Sequence, residues 1–144
     1  MTKHWERVIT VAQDRGQKEG FKPQNQLEDF LVKARAGKLP VKELVRQLVS
    51  SSLFVPSVNQ VRDDGSGFMP LLFDRGGIPL AAAFTAISHV TPYGERAKYC
   101  VSMNGGELLK RIPPGYGVAI NPGSPATFEI SPEGVKEILR DFGE

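Results

Sequence analysis

The chain has 144 residues, of which 40% are hydrophobic and 24% are charged, and this composition is ordinary for one globular domain with a core of its own. Its net charge of +2, from 18 basic and 16 acidic residues, lacks the strong basic excess of nucleic-acid-binding proteins, so we predict no nucleic-acid partner. The single cysteine excludes an intrachain disulfide, and no apolar run is long enough for a signal peptide or a membrane span, so we expect a cytoplasmic protein without a membrane partner.

Residues 1–24 are predicted to form an N-terminal arm or a short helix. Trp5, Val8, Ile9 and Ala12 have the spacing of residues on one face of a helix. Two glycines then interrupt this pattern and a proline follows, so the helix would be short. The arm precedes a single domain.

A helical hairpin is predicted to open that domain, which we place at residues 25–144. Apolar residues recur at helical spacing in QLEDFLVKARAG and again in PVKELVRQLVSS. Asn25 is the predicted N-cap of the first helix, with Glu28 three residues later as in a capping box, and Gly37 suits the left-handed residue after its end. The pattern therefore predicts two amphipathic helices joined by a short link.

Short strands separated by turns follow the hairpin. Apolar runs predict strands in LFVPS, MPLLFD, IPLAAAFT, AKYCVS, GVAIN and ATFEI, and helices in MNGGELLKRI and SPEGVKEILRDFG. Ser131 is the expected N-cap of the last helix. The fold class is therefore α+β, with a mixed or mostly antiparallel sheet of about five or six short strands packed by helices.

The sequence contains no catalytic or metal-binding motif that we can identify. One cysteine and two histidines at wide spacing match no zinc pattern, and no nucleotide-binding glycine motif is present. His89 and Cys100 could form a nucleophilic pair if the fold brought them together. However, Cys100 lies in an apolar strand pattern, where a buried and inert thiol is the usual case. We predict a protein that is not an enzyme and that needs no metal or cofactor.

Two glycine-rich segments are candidate ligand sites that also have structural explanations. Asn104 and Gly105 stand where a helix begins, so free amide groups there could hold an anion, but an asparagine N-cap explains them better. In GYGVAINPGSP, Asn121 precedes a proline and is expected to be extended, and Pro122-Gly123 suits a type II turn. The turn requires no reactive role, and the alternative is that Asn121 and Ser124 line a recognition surface.

The order of these elements resembles the SseB family, the enhanced serine sensitivity proteins, in their N-terminal domain. The resemblance covers roughly residues 25–142 and rests on AAAFT, the GGELLKRI helix and NPGS in that order, none of which is a catalytic signature. It implies a bacterial cytoplasmic domain without established catalytic residues. Longer members of the family carry a second, C-terminal domain, which this chain would be too short to include.

Two functions from different classes fit the sequence. The first is a non-catalytic binding or adaptor module for a partner protein, with Arg111 and Tyr116 as exposed anchors. The second is a small-metabolite binder or an enzyme that uses a cleft near Asn104, Asn121 and Ser124. A homodimer is compatible with either function, because a short strand such as LFVPS at a sheet edge invites pairing, although its proline would blunt that edge.

Overall fold

The computed structural model describes residues 9–11, 23–123 and 127–142 of the chain. Short helices and strands alternate along these residues, and a 3₁₀-helix (Thr91–Tyr93) follows the third α-helix. In chain order the elements are β1 (Ile9–Val11), α1 (Gln26–Arg35), α2 (Val41–Ser50), β2 (Ser52–Ser57), β3 (Leu72–Arg75), β4 (Ile78–Ala83), α3 (Ile87–Val90), β5 (Tyr99–Asn104), α4 (Gly105–Arg111), β6 (Gly117–Ile120), β7 (Phe128–Ile130) and α5 (Pro132–Phe142).

Five strands form one mixed sheet in the order β1-β7-β6-β4-β3. β4 and β6 are parallel, with Ala81 beside Val118, whereas the other neighbours are antiparallel. β2 and β5 form a second, antiparallel sheet of two strands. The two sheets meet where Phe54 of β2 and Phe84 exchange both backbone hydrogen bonds, at 2.8 Å each. The predicted α+β fold with a mixed sheet and an N-terminal helical hairpin is confirmed.

The helix ends follow the local signals of the sequence. The side chain of Asn25 accepts a hydrogen bond from the N–H of Glu28 at 2.9 Å, as expected of an N-cap. Gly37 follows α1 with a φ of +76°, the left-handed geometry that glycine adopts without strain. At α5, the Ser131 hydroxyl accepts from the N–H of Gly134 at 3.0 Å.

Side chains from both faces of the five-stranded sheet are buried. On one face, Ala81, Ala83, Val118 and Ile120 join the main core with apolar residues of α1, α2, α4 and α5. On the other face a smaller cluster contains Ala82 and Phe84 and packs against partly buried residues such as Tyr93. This alternation along β4 follows from the two-residue period of a strand. Among the residues described, no helix combines the length and apolar character required to cross a membrane.

Residues Ile9–Val11 form a strand, so the short helix that the spacing of apolar residues predicted is wrong at these positions. Ile9 lies opposite Ile130 of β7, and Val11 lies opposite Phe128. All three residues of β1 are β-branched, which favours a strand, and their pairing satisfies backbone groups of β7. The rest of the predicted arm, apart from residues 23–24, lies outside the described residues.

Candidate functional site

A cluster of buried polar side chains lies where the two parallel strands end. Because β4 and β6 run in the same direction side by side, their carboxyl ends meet at one edge of the sheet. Thr85 follows β4 and Asn121 follows β6, and both side chains are almost fully buried. In open sheets with parallel strands, ligands bind at the carboxyl ends of the strands. This edge is therefore the leading candidate for a functional site, and we call it the strand-end cluster.

Glu28 reaches the strand-end cluster from the first turn of α1 and has no exposed surface. Its Oε1 accepts a hydrogen bond from the N–H of Gln24 at 2.8 Å. Its Oε2 accepts from the hydroxyl of Thr85 and lies 3.0 Å from Nε2 of His89. An ionised carboxylate only accepts hydrogen bonds, so in a contact with ionised Glu28 the donor is Nε2 of His89. Burying a carboxylate is costly unless it is hydrogen-bonded, and here both oxygens have donors.

Thr85 and Asn121 are joined by two hydrogen bonds. The N–H of Thr85 donates to Oδ1 of Asn121 at 3.1 Å, and Nδ2 of Asn121 donates to the Thr85 hydroxyl at 2.9 Å. Nδ2 of Asn25 donates to the Thr85 carbonyl at 2.8 Å. The hydroxyl of Thr85 therefore accepts from an amide and donates to a carboxylate. Such a directed chain ties the N-terminus of α1 to the ends of β4 and β6.

The backbone of Asn121 is not extended as the following proline led us to expect. Its φ is +54°, a left-handed value that asparagine tolerates better than most residues. The Asn121 N–H donates to the carbonyl of Ala83 at 2.8 Å, and its side chain bonds to Thr85, so these contacts offset the strain. Gly123 has a φ of +83°, as the predicted type II turn requires, and the hydroxyl of Tyr93 donates to the carbonyl of Pro122 at 3.1 Å.

The polar side chains of the strand-end cluster are mostly buried and form hydrogen bonds to one another. Thr85 and Asn121 are at most 2% exposed, whereas His89 has 20% of its side chain exposed to solvent. Across the part of the chain that the structure describes, no three His, Cys, Asp or Glu side chains are grouped closely enough to hold a metal ion. What the geometry provides is a rigid connection between α1, residues 85–93 and the turn at residues 121–123.

The structure places the other predicted binding residues in separate surroundings. Asn104 caps α4, and its Oδ1 accepts from the N–H of Glu107 at 2.8 Å. Gly105 is buried against α2, where an added β-carbon would lie 2.2 Å from the carbonyl oxygen of Leu48. Both residues of this segment thus have structural roles. Asn104 is the last residue of β5 in the two-stranded sheet, whereas Asn121 follows β6 of the five-stranded sheet.

Arg111 and Tyr116 lie apart from the strand-end cluster. Arg111 forms an ion pair with Glu107 at 3.1 Å and lines a surface hollow of about 170 Å³ between the 61–68 loop and β5. Tyr116 is partly buried against the main core. Ser124 lies outside the described residues.

A second hollow, of about 180 Å³, lies beside Arg75 and Glu129. These two side chains form a salt bridge, and the bond to Glu129 raises the pKa of Arg75. No member of the strand-end cluster lines either hollow.

Cys100 is exposed, so the expectation of a buried thiol is wrong. In the alternating pattern of β5 it shares a face with Lys98 and Ser102, which are also exposed, rather than with Val101. Partial burial by neighbouring atoms nevertheless raises the pKa of the Cys100 thiol. His89, its suggested partner, directs Nε2 at Glu28 in the strand-end cluster.

Sequence reasoning missed most of the strand-end cluster. Glu28 and Asn25 were identified only as parts of a helix start, Thr85 only as part of a family resemblance, and His89 only as a partner for Cys100. The available signal was the capping pattern. It predicts the bond from the N–H of Glu28 to Asn25, but it predicts neither the contact of Oε1 with Gln24 nor that of Oε2 with Thr85.

Comparison with known proteins agrees with the arrangement of these elements. The family model described as the SseB protein N-terminal domain matches residues 27–137. Searches of curated proteins and of solved structures found no match. The matched range begins in α1 and ends in α5, so it includes Glu28, Thr85, His89 and Asn121. Because this match covers well over half of the chain, the protein belongs to the SseB family and contains its N-terminal domain.

Proposed function

We propose that this domain is a non-catalytic binding module that contacts a partner protein in the bacterial cytoplasm. The contact surface is formed by residues 85–93 and the turn at residues 121–123. The observation that carries this proposal is the strand-end cluster, in which a buried carboxylate, an amide and a hydroxyl hold these two surface segments in place. Recognition residues commonly lie on loops that a rigid scaffold supports.

An apolar side chain on this surface supports a role in protein binding. Ile87 begins α3, two residues after Thr85, and is 55% exposed, more than any other large hydrophobic side chain in the described residues. The neighbouring Ser88 accepts a hydrogen bond from the side-chain amide of Gln24 at 3.2 Å, which adds a further tie to the start of α1. A preformed support reduces the conformational entropy that binding would otherwise cost.

The alternative of a metabolite site near Asn104 and Asn121 has less support. The Asn104 side chain is bonded to the first turn of α4, and Asn121 is fully buried. A ligand would have to displace these contacts before it could use either amide group. A protein surface centred on Ile87 requires no such rearrangement.

The substitution Ile87→Asp tests the proposal. We expect the variant to lose partner proteins that the wild-type chain captures after crosslinking in lysate of the native host, because a charge replaces the exposed apolar contact. Ile78→Asp is the matched control, since Ile78 is 40% exposed and lies at the opposite end of β4. Circular dichroism would verify that both variants fold. Identical partner lists for Ile87→Asp and wild type would contradict the proposal, and a saturable thermal shift with a metabolite would favour the alternative.

A further inference from the structure

β5 is the outer strand of the two-stranded sheet, and alternate backbone groups along it face away from the molecule. Phe54 of β2 exchanges both backbone hydrogen bonds with Phe84, so it shares none with Ser102, which stands opposite it on β5. Alternate residues of an antiparallel strand direct their backbone groups to opposite sides. The N–H and C=O groups of Cys100 and Ser102 therefore point away from β2. Within residues 23–123 and 127–142, no backbone partner is found for either N–H.

This edge has none of the features that usually keep exposed strands from pairing. Its six residues, YCVSMN, include no charged residue and no proline, and four of the six are exposed. The edge strand β3 differs, because it has four residues and carries Asp74 and Arg75. Charges, prolines and short length are the usual protection of an edge, so β5 is open to a further strand.

We propose that a second copy of this chain adds its own β5 antiparallel to this edge, around a two-fold axis at Val101. Val101 then faces Val101 of the second copy, and Cys100 faces Ser102. In this register the outward N–H and C=O groups of Cys100 and Ser102 bond to each other across the interface. Lys98 faces Asn104, so no like charges are opposed.

The hollow beside Arg111 favours the register with Val101 opposite Val101, because this register places Tyr99 of the second copy near the hollow. It has a volume of about 170 Å³. Its lining is mixed, with apolar Val61, Phe68, Val101 and Met103 and charged Arg62 and Asp63 beside Arg111. Tyr99 of the second copy would stand opposite Met103, on the same face of the sheet as Met103. Its ring would fill the hollow, and its hydroxyl would approach the guanidinium of Arg111. The 43% of Tyr99 that is now exposed would be covered.

A second copy fits this edge because the interface is self-complementary. A two-fold interface uses the same surface on both partners. Here one strand supplies both the open backbone groups and the aromatic side chain that matches the hollow, so Tyr99 of each copy would enter the hollow of the other. The interface does not include Ile87, so this inference and the proposed binding function can fail independently.

Cysteine crosslinking tests the register directly. In a Cys100→Ser background, Val101→Cys places two thiols across the axis in a pair without backbone hydrogen bonds, where the α-carbons are about 4.5 Å apart and a disulfide can form. We expect mild oxidation to give a covalent dimer. Ser88→Cys in the same background is the control, because Ser88 is exposed on α3 and away from β5. No more crosslinked dimer from Val101→Cys than from this control would overturn the proposed register.

Charge substitutions test whether the edge drives association. Cys100→Lys with Ser102→Lys sets lysine opposite lysine on both sides of the axis, whereas Cys100→Glu with Ser102→Lys sets opposite charges there. Analytical ultracentrifugation should show a reversible dimer of the wild-type chain and a dissociation constant at least about tenfold higher for the lysine pair than for the Glu–Lys pair. A wild-type chain that remains monomeric across a wide concentration range would overturn the proposal, as would equal dissociation constants for the two variants.

Discussion

The substitution Thr85→Val tests whether the strand-end cluster holds the domain together. Valine nearly matches threonine in shape, so the main change is loss of the hydroxyl, which donates to Glu28 and accepts from Asn121 at 2.9 Å. Losing a hydrogen bond to a charged group costs about 1.5–3 kcal/mol, and a buried N–H left without a partner costs about 1–3 kcal/mol. The added buried methyl group returns about 0.8 kcal/mol. We expect the free energy of unfolding to fall by about 2–5 kcal/mol.

Urea denaturation followed by circular dichroism would measure this loss, and the melting temperature should fall by roughly 6–20 °C. Thr127→Val is the matched control. The hydroxyl of Thr127 is partly buried and donates to the carbonyl of Ile120 at 3.3 Å, a longer contact than either bond of the Thr85 hydroxyl, so this variant should lose less than about 1 kcal/mol. Equal losses for the two variants would refute the reasoning, because the buried hydroxyl would then contribute no more than an ordinary one.

Three further predictions concern single positions. Gly105→Ala should cost more than about 2 kcal/mol, because its β-carbon would lie 2.2 Å from the carbonyl oxygen of Leu48, whereas Gly106→Ala, whose β-carbon would lie 3.2 Å from a methyl group, should be tolerated in the same denaturation assay. Asn121→Ala should be less stable than Asn121→Gly by about 1 kcal/mol, because both lose the amide bonds but only glycine adopts the φ of +54° without strain. The raised pKa of Cys100 lowers its thiolate fraction, so iodoacetamide should label it with a pH midpoint above that of free cysteine; a midpoint at or below that value would contradict the prediction.

Local patterns predicted most elements of the fold because their causes lie within a few residues. The N-caps at Asn25 and Ser131 and the glycine after α1 all depend on neighbours in the sequence, and all three are confirmed. The pairing of strands depends on residues far apart, so the sequence did not predict the order of the sheets. The strand Ile9–Val11 shows the same limit, since its partner lies more than a hundred residues later.

The candidate site was only partly predictable for the same reason. Glu28 follows the capping pattern, yet its Oε1 accepts from Gln24 rather than from Asn25, and its Oε2 bonds to Thr85, 57 residues away. Asn121 was identified as a candidate, but its bonds to Thr85 span 36 residues. Whether a carboxylate is buried depends on the residues that surround it in the folded structure, and the periodicity of the sequence does not predict those neighbours.

Pro56 shows why an edge is difficult to identify from residue types. The sequence suggested that the short strand LFVPS lies at a sheet edge and that its proline blunts this edge. In the structure β2 pairs with β5 on one side. On its other side, Phe54 bonds to Phe84 and the Pro56 carbonyl accepts from the N–H of Leu71 at 3.2 Å. The missing N–H of Pro56 would have pointed to this second side, so the ladder with β5 loses no donor. Because β2 bonds to Phe84 and Leu71 on one side and to β5 on the other, the open edge of this sheet is the outer side of β5. The β5 sequence has no charged residue and no proline, so this edge is suitable for pairing.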